Sequence, residues 1–414
     1  MYTKSNLLVK ISCMRSAIHK EFYAILVFII LPLSGMSTDI YLPSLPAITD
    51  HFHIIKALSQ LTVTAYALAL GLSQLVAGPL SDAIGRKRML LTAMSVQLLS
   101  VIAIIFSFNI YWMIAFRFIQ GLGAAFMMVP ARAILNDCFT GDKLKKKFNY
   151  AVISFAIGPI IAPFIGGYLQ HYFNWQANFY FILIYLVIMI ALLLTTFRET
   201  LASKRPFMVS HLRENYTHIL KNKYFLLIAI FIGLLWGYVP LFNVAGPFLI
   251  QVDLGRSPIV YGHIALLMGF GWFLGSTANR LLFRFDINIK TKVATALTLI
   301  TVIVMLIYSL SGYFNLTLII VPTFLAIMFS GSVFSIYVAE GMTPFPEMAG
   351  SANAVLFTLI WIAFSIFTLI ATLLKSTTLL PYSLTFLCVC LLCLLVYYLA
   401  ILRHEKKHRD SLGV

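Results

Sequence analysis

Gly78-Pro79-Leu80-Ser81-Asp82-Ala83-Ile84-Gly85-Arg86-Lys87-Arg88 joins two long apolar runs. It packs glycines, an acid and three cations into a connection far too short to be a domain. Between two membrane helices such a stretch is a tight hairpin, and its cations mark the cytoplasmic face. The rest of the chain makes lipid the solvent. Of 414 residues, 61% are hydrophobic and 11% charged, against about a quarter charged in soluble domains. A surface of that composition cannot be solvated by water.

The net charge of +16 does not indicate a nucleic-acid partner. The cations fall in short runs between apolar segments, which is a topology pattern. Cys13, Cys138, Cys388, Cys390 and Cys393 have no metal-ligand spacing, so neither a metal site nor disulfides are expected. The N-terminal cations Lys4, Lys10, Arg15 and Lys20 precede an apolar run of about 20 residues. That run is longer than a signal-peptide core and is expected to stay as the first span.

Twelve spans are expected, near 22–45, 58–80, 89–108, 110–135, 149–170, 177–197, 224–250, 259–282, 293–312, 315–339, 347–373 and 379–402. Charge tests the count. Of the 30 Lys and Arg, only Lys56, Arg256 and Lys375 then fall on one side, and Arg117 and Arg132 inside spans. All others share the side of both termini, which is therefore expected to be cytoplasmic. The basic segment 198–223, with Pro206, is the longest polar connection. The expected organisation is an N-terminal tail 1–21, a six-helix bundle 22–197, a linker 198–223, a second bundle 224–402 and a C-terminal tail 403–414. A surface amphipathic helix is the other reading of the linker.

A faint internal repeat supports the division. Asp39-Ile40-Tyr41-Leu42-Pro43 matches Asn243-Val244-Ala245-Gly246-Pro247, 204 positions later. The same offset carries Asp82 onto Asp286, Arg86 onto Lys290 and Arg88 onto Lys292. Transporters built from two repeats place their site between the halves.

Asp39 is the carboxylate lying well inside a span, where a charge is costly unless it faces a cavity or partner. A hairpin or capping Asp is the alternative. Arg117 in span four lies at similar depth, so the two are expected to pair. A proton carrier and a static ion pair both fit that arrangement. Arg132 and Asp137 are expected to close the end of span four against the 78–88 loop. Gly158, Pro159, Pro163, Gly166 and Gly167 give span five a bend or a close-packing device, which 362–371 lacks. Tyr41, Tyr66, Gln120, Trp236, Tyr238, Asn243, Phe334 and Tyr337 are the candidates for a central cavity, with core packing or lipid contact the alternative for each aromatic. No Walker-type nucleotide motif is present.

These motifs together resemble the major facilitator superfamily, and within it the twelve-span drug:proton antiporters of the Bcr/CflA group. Gly78, Leu80, Asp82, Gly85, Arg86 and Lys87 match the superfamily's loop signature. Arg117-Phe-Ile-Gln120-Gly121-Leu-Gly123-Ala-Ala is similar to the span-four motif linked to proton transfer. Gly158-Pro159 to Gly166-Gly167 looks like the antiporter motif. Asp39-Ile-Tyr-Leu-Pro-Ser-Leu-Pro and Pro344-Phe-Pro-Glu-Met-Ala-Gly-Ser-Ala-Asn-Ala resemble segments of the Bcr/CflA group. Ala83 and Asn136 stand where the family often has Arg, which thins the charge cluster around the loop.

The resemblance implies an all-α membrane protein of two pseudo-symmetric six-helix bundles, not an enzyme, working by alternating access. It implies a multidrug exporter in the bacterial inner membrane, able to act as a monomer, driven by the proton gradient with no cofactor. Asp39 and Arg117 would couple protons. Gly78, Asp82, Gly85, Arg86, Lys87, Arg132 and Asp137 would form the conformational gate. Export of an endogenous metabolite such as a siderophore or amino acid is the other function on this scaffold.

Overall fold

The computed structural model describes residues 4–281, 284–374 and 378–402. Lys375 and the expected C-terminal tail 403–414 lie outside the described residues. The described chain is helical. Among the described residues, twelve helices are long and apolar enough to cross a membrane: His19–His51, Lys56–Ile84, Arg86–Ile105, Ile110–Cys138, Gly141–Tyr172, Trp175–Thr196, Lys223–Asp253, Pro258–Asn279, Ile287–Leu310, Leu316–Met342, Ala349–Leu373 and Leu380–Leu399.

Polar residues at the span boundaries set the register. Asn109, Asn174, Asn222 and Asn315 each accept a hydrogen bond from the backbone N–H three residues on, opening spans four, six, seven and ten. Such caps satisfy N–H groups that the first helical turn leaves unpaired. Outward-facing side chains such as Ile184, Val187 and Leu194 are exposed apolar surface, which matches lipid rather than water.

The packing repeats. In the first half span four touches spans one, two and three, and span six packs on span three. In the second half span ten touches spans seven, eight and nine, and span twelve packs on span nine. The halves meet along two seams, span two against span eleven and span five against span eight.

Spans one and seven are both interrupted, at different places in the repeat. The helix of span one ends at Asp39, then a short 3-10 turn Leu42–Ser44 leads into the helix Leu45–His51. Span seven breaks between Lys223–Trp236 and Tyr238–Pro247, then widens into a π-helical turn Phe248–Asp253. Pro43, Pro46 and Pro247 remove backbone donors near these breaks. Span five stays one helix, Gly141–Tyr172, despite Pro159 and Pro163. Its glycines therefore serve close packing rather than a break. In the linker, Val209–Lys221 forms a helix, and Tyr216 donates its hydroxyl to the Leu75 carbonyl of span two.

Candidate functional site

The first candidate site lies where span one breaks. Asp39 and Arg117 are both buried, yet they form no ion pair within 4 Å among the described residues. The expected direct pairing is corrected here. Arg117 lies between the rings of Tyr41 and Tyr66, 4.4 and 4.3 Å from their centroids. It donates from Nη1 to the Ser37 carbonyl at 2.9 Å and to Gln120 Oε1 at 2.7 Å. The end of the helix builds the cage. Tyr41 lies in the turn just past Asp39, and its ring and the Ser37 carbonyl reach the same guanidinium. Asp39 is rotated about 200° from Ser37 and points elsewhere. Tyr41 is held by Thr62 (2.9 Å), and Tyr66 donates to the Ser34 carbonyl (2.9 Å). Cation–π contact of this kind is worth about 2 kcal/mol or more when desolvated.

The glycines around Arg117 bring the cage together. A Cβ at Gly121 would overlap the Tyr66 carbonyl, and one at Gly123 would lie 2.7 Å from Gln97 Cγ. Only glycine lets span four approach spans two and three this closely. Nε and Nη2 of Arg117 are buried and have no acceptor among the described residues.

Asp39 turns to the other half. Its Oδ1 accepts a hydrogen bond from Asn243 Nδ2 at 3.3 Å. Beside it Gln60 Nε2 donates to the Val244 carbonyl (2.9 Å) and Gln251 Nε2 to the Pro43 carbonyl (2.9 Å). Further along, Thr64 and Thr368 touch hydroxyl to hydroxyl at 2.9 Å, and Lys56 Nζ donates to the Leu374 carbonyl at 2.6 Å. Thr358 donates to the Gly71 carbonyl at 2.9 Å near mid-span. These bonds close the two halves together from mid-span to the end remote from the 78–88 loop.

Span five is wedged between this break and the second half. On one side, added Cβ atoms at Gly158 and Gly166 would overlap the carbonyls of Pro32 and Ile40 in span one. On the other, one at Gly167 would lie 2.6 Å from the Pro258 carbonyl, and one at Gly262 2.7 Å from the Pro163 carbonyl. Pro159 packs its ring against Gly35. All five residues of the span-five motif thus lie on these two interfaces.

The charged loop forms a second cluster. Arg86 pairs with Asp82 at 2.6 Å and Asp137 at 3.1 Å, and donates to Ser81 Oγ at 2.9 Å. Gly85 has φ +103, a backbone that L side chains rarely adopt. The loop signature alone does not show what holds the start of span three. Glu199, just past span six, accepts the backbone N–H groups of Arg86 (3.0 Å) and Lys87 (3.1 Å). A carboxylate there also complements the helix dipole. Lys87 Nζ donates to the Phe197 carbonyl at 2.6 Å, and Arg205 N–H to the Asp82 carbonyl at 3.1 Å. The linker is therefore clipped to the loop. Glu199→Ala is expected to cost about 1 kcal/mol, read as a lower melting temperature in detergent. An unchanged melting curve would remove the clip from the account.

Arg132 is not in this cluster. Its guanidinium sits 5.3 Å over the Phe155 ring of span five. Gly78 has only Val129 nearby, 3.9 Å from an added Cβ. In the fainter copy of the loop, Asp286 caps its own helix at Asn288 N–H (2.8 Å) and Lys290 reaches Asn279 (3.1 Å).

The cavity candidates separate into four groups. Tyr41, Tyr66 and Gln120 build the arginine cage. Asn243 lies on Asp39. Trp236 and Phe334 belong to an aromatic cluster with Trp272, Trp361 and Phe364, centroids 5.0 to 6.1 Å apart. Tyr238 and Tyr337 are corrected to core residues of the second half. Tyr238 is buried against Phe386, and Tyr337 against Phe231 with its hydroxyl 3.2 Å from Thr291.

Two pseudo-symmetric six-span halves, a buried acid at their junction and a charged loop between spans two and three define a membrane transporter, not an enzyme. The chain belongs to the Major Facilitator Superfamily, whose family model matches residues 27–368. Among curated relatives it is 26% identical to Multidrug resistance protein D of Escherichia coli over 336 residues, 80% of this chain and 83% of that protein. It is 29% identical to the uncharacterized MFS-type transporter YdgK of Bacillus subtilis, over 78% of this chain and 82% of the relative. It is 30% identical over 193 residues to a bicyclomycin resistance protein homolog of Haemophilus influenzae, covering 46% and 48%. The fold matches the human organic anion transporter MFSD10 with a TM-score of 0.64 at 15% identity, over 91% of this chain and 99% of that one.

Proposed function

We propose that the protein is a proton-coupled antiporter of the Bcr/CflA type, exporting hydrophobic or amphipathic small molecules across the bacterial inner membrane. Segments 22–197 and 224–402 act as its two moving halves, and 198–223 as a cytoplasmic linker. The observation carrying this reading is the placement of Asp39. It is a buried carboxylate at a helix break, on the junction of the halves, beside a caged arginine. A charge in that position is too costly to keep without a function. The drug-resistance names of two relatives support the substrate class.

In this reading the loop side is cytoplasmic and the closed seam faces outside. A proton taken up from outside neutralises Asp39, the halves rock, and the proton is released inward. Arg117, held between Tyr41 and Tyr66, is the cation that stands beside Asp39 in this scheme. A compound then occupies the opened space, and the aromatic cluster of Trp236, Trp272, Phe334, Trp361 and Phe364 offers it a stacking surface.

Purified protein in proteoliposomes tests this. Hydrophobic cationic dyes are expected to move only under an imposed pH gradient, opposite to proton flow, and to stop when a protonophore collapses it. Dye flux indifferent to the gradient would overturn the coupling. Flux of siderophores or amino acids alone would transfer the assignment to metabolite export.

A further inference from the structure

Asp39 and Asn243 occupy equivalent places in the two repeats and touch each other across the junction. Residues related by an approximate two-fold axis meet only if they lie close to that axis. A contact there joins the halves where their relative tilt changes, so it makes or breaks as a unit when they rock. Asn243 is also fixed from its own side. It lies just before Val244 and Gly246 in the short helix Tyr238–Pro247, and its carbonyl accepts from the Tyr261 hydroxyl at 3.4 Å. Gln60 anchors the neighbouring Val244 carbonyl from span two.

We propose that Asn243 is a positioning residue that latches the ionised Asp39 across the halves, so that loss of the proton locks the seam shut until substrate reopens it. The inference rests on the antiport reading above and assigns the second half's share of the coupling. An amide donates more strongly to a carboxylate than to a neutral acid. Deprotonated Asp39 therefore holds the seam closed, and protonated Asp39 holds it weakly. The latch stops the empty, deprotonated carrier from returning outward and wasting the gradient.

Other titratable groups face Asp39: Arg117 from span four, Tyr41 on its own segment, Tyr66 from span two and Tyr261 from span eight. Guanidinium and phenol groups ordinarily titrate far above neutrality. They set a constant background, and Asp39 is the member whose charge switches.

Cysteines at Thr64 and Thr368, whose hydroxyls touch across the seam, report closure by their rate of disulfide formation in the full-length reconstituted protein. Rates are taken from mildly acidic to mildly alkaline pH and divided by those of an Asp39→Asn version, which removes the intrinsic pH dependence of thiol chemistry. The native pair is expected to close more readily as pH rises. Asn243→Ala is expected to lose most of that dependence and to move less substrate per proton. Asn243→Asp, nearly isosteric, is expected to reverse its sign, because two carboxylates at this distance oppose closure once both are ionised. Native-like profiles in both Asn243 variants would overturn the latch while leaving the antiport reading in place. A native profile indistinguishable from Asp39→Asn would overturn both.

Discussion

Asp39→Asn is expected to abolish efflux driven by a pH gradient while the protein still inserts, folds and binds its substrates. The argument is one of charge rather than shape. Asparagine matches aspartate in size, and its side chain can still pair with Asn243 across the junction. What disappears is the ability to hold a proton in one orientation and release it in the other. Stability should not fall with activity. A buried carboxylate is costly, so removing its charge leaves the melting temperature in detergent unchanged or raises it. The measurement pairs gradient-driven flux in proteoliposomes with thermal melting of the same preparation. Gradient-driven efflux in the variant would refute Asp39 as the coupling group. Lost flux with a collapsed melting curve would make it a structural residue instead.

Gly166→Leu is expected to be the most damaging single substitution to the fold around the site. Even a methyl group at this position would overlap the Ile40 carbonyl and sit 3.0 Å from Asn178 Oδ1. Ile40 immediately follows Asp39, and Asn178 donates to Ser44 Oγ at 2.8 Å in the turn beyond it. Span five would be forced away from the break that positions Asp39. The obstacle is backbone, which cannot rotate aside like a side-chain end, so the cost is about 3 kcal/mol or more. Gly166→Ala should show a smaller loss of the same kind. Melting and flux should fall together, unlike in Asp39→Asn. Native flux in Gly166→Leu would show that span five does not support the site at this level.

Much of this was legible in the chain. Twelve apolar runs and the distribution of lysine and arginine set the number of spans, because bilayer thickness fixes helix length. The offset between Asp39 and Asn243 announced two repeats. The stretch from Gly78 to Arg88 reads as a tight hairpin between two spans, and Gly85 turns it with a positive φ. Other features were not legible. Arg117 reads as a partner for Asp39, since depth is all that span position gives. Which way each side chain turns depends on how span one is rotated against span four, and there Ser37 and Tyr41 won the arginine. Glu199 carries no motif, and its contact with Arg86 closes 113 residues of chain. Tyr238 and Tyr337, like Tyr41, are tyrosines buried in apolar spans, and packing separates core from junction.

The sequence by itself therefore determined what repeats: the helices, their count, the division into halves and the residues unsuited to lipid. Those follow from the cost of exposing polar groups to hydrocarbon, which acts on each residue separately. The tertiary structure decided what meets: Asp39 with Asn243 rather than Arg117, Arg117 with two tyrosines, Glu199 with the loop, and span five with both halves. Those contacts depend on helix rotation and closeness of approach, which many side chains set jointly and no local stretch records.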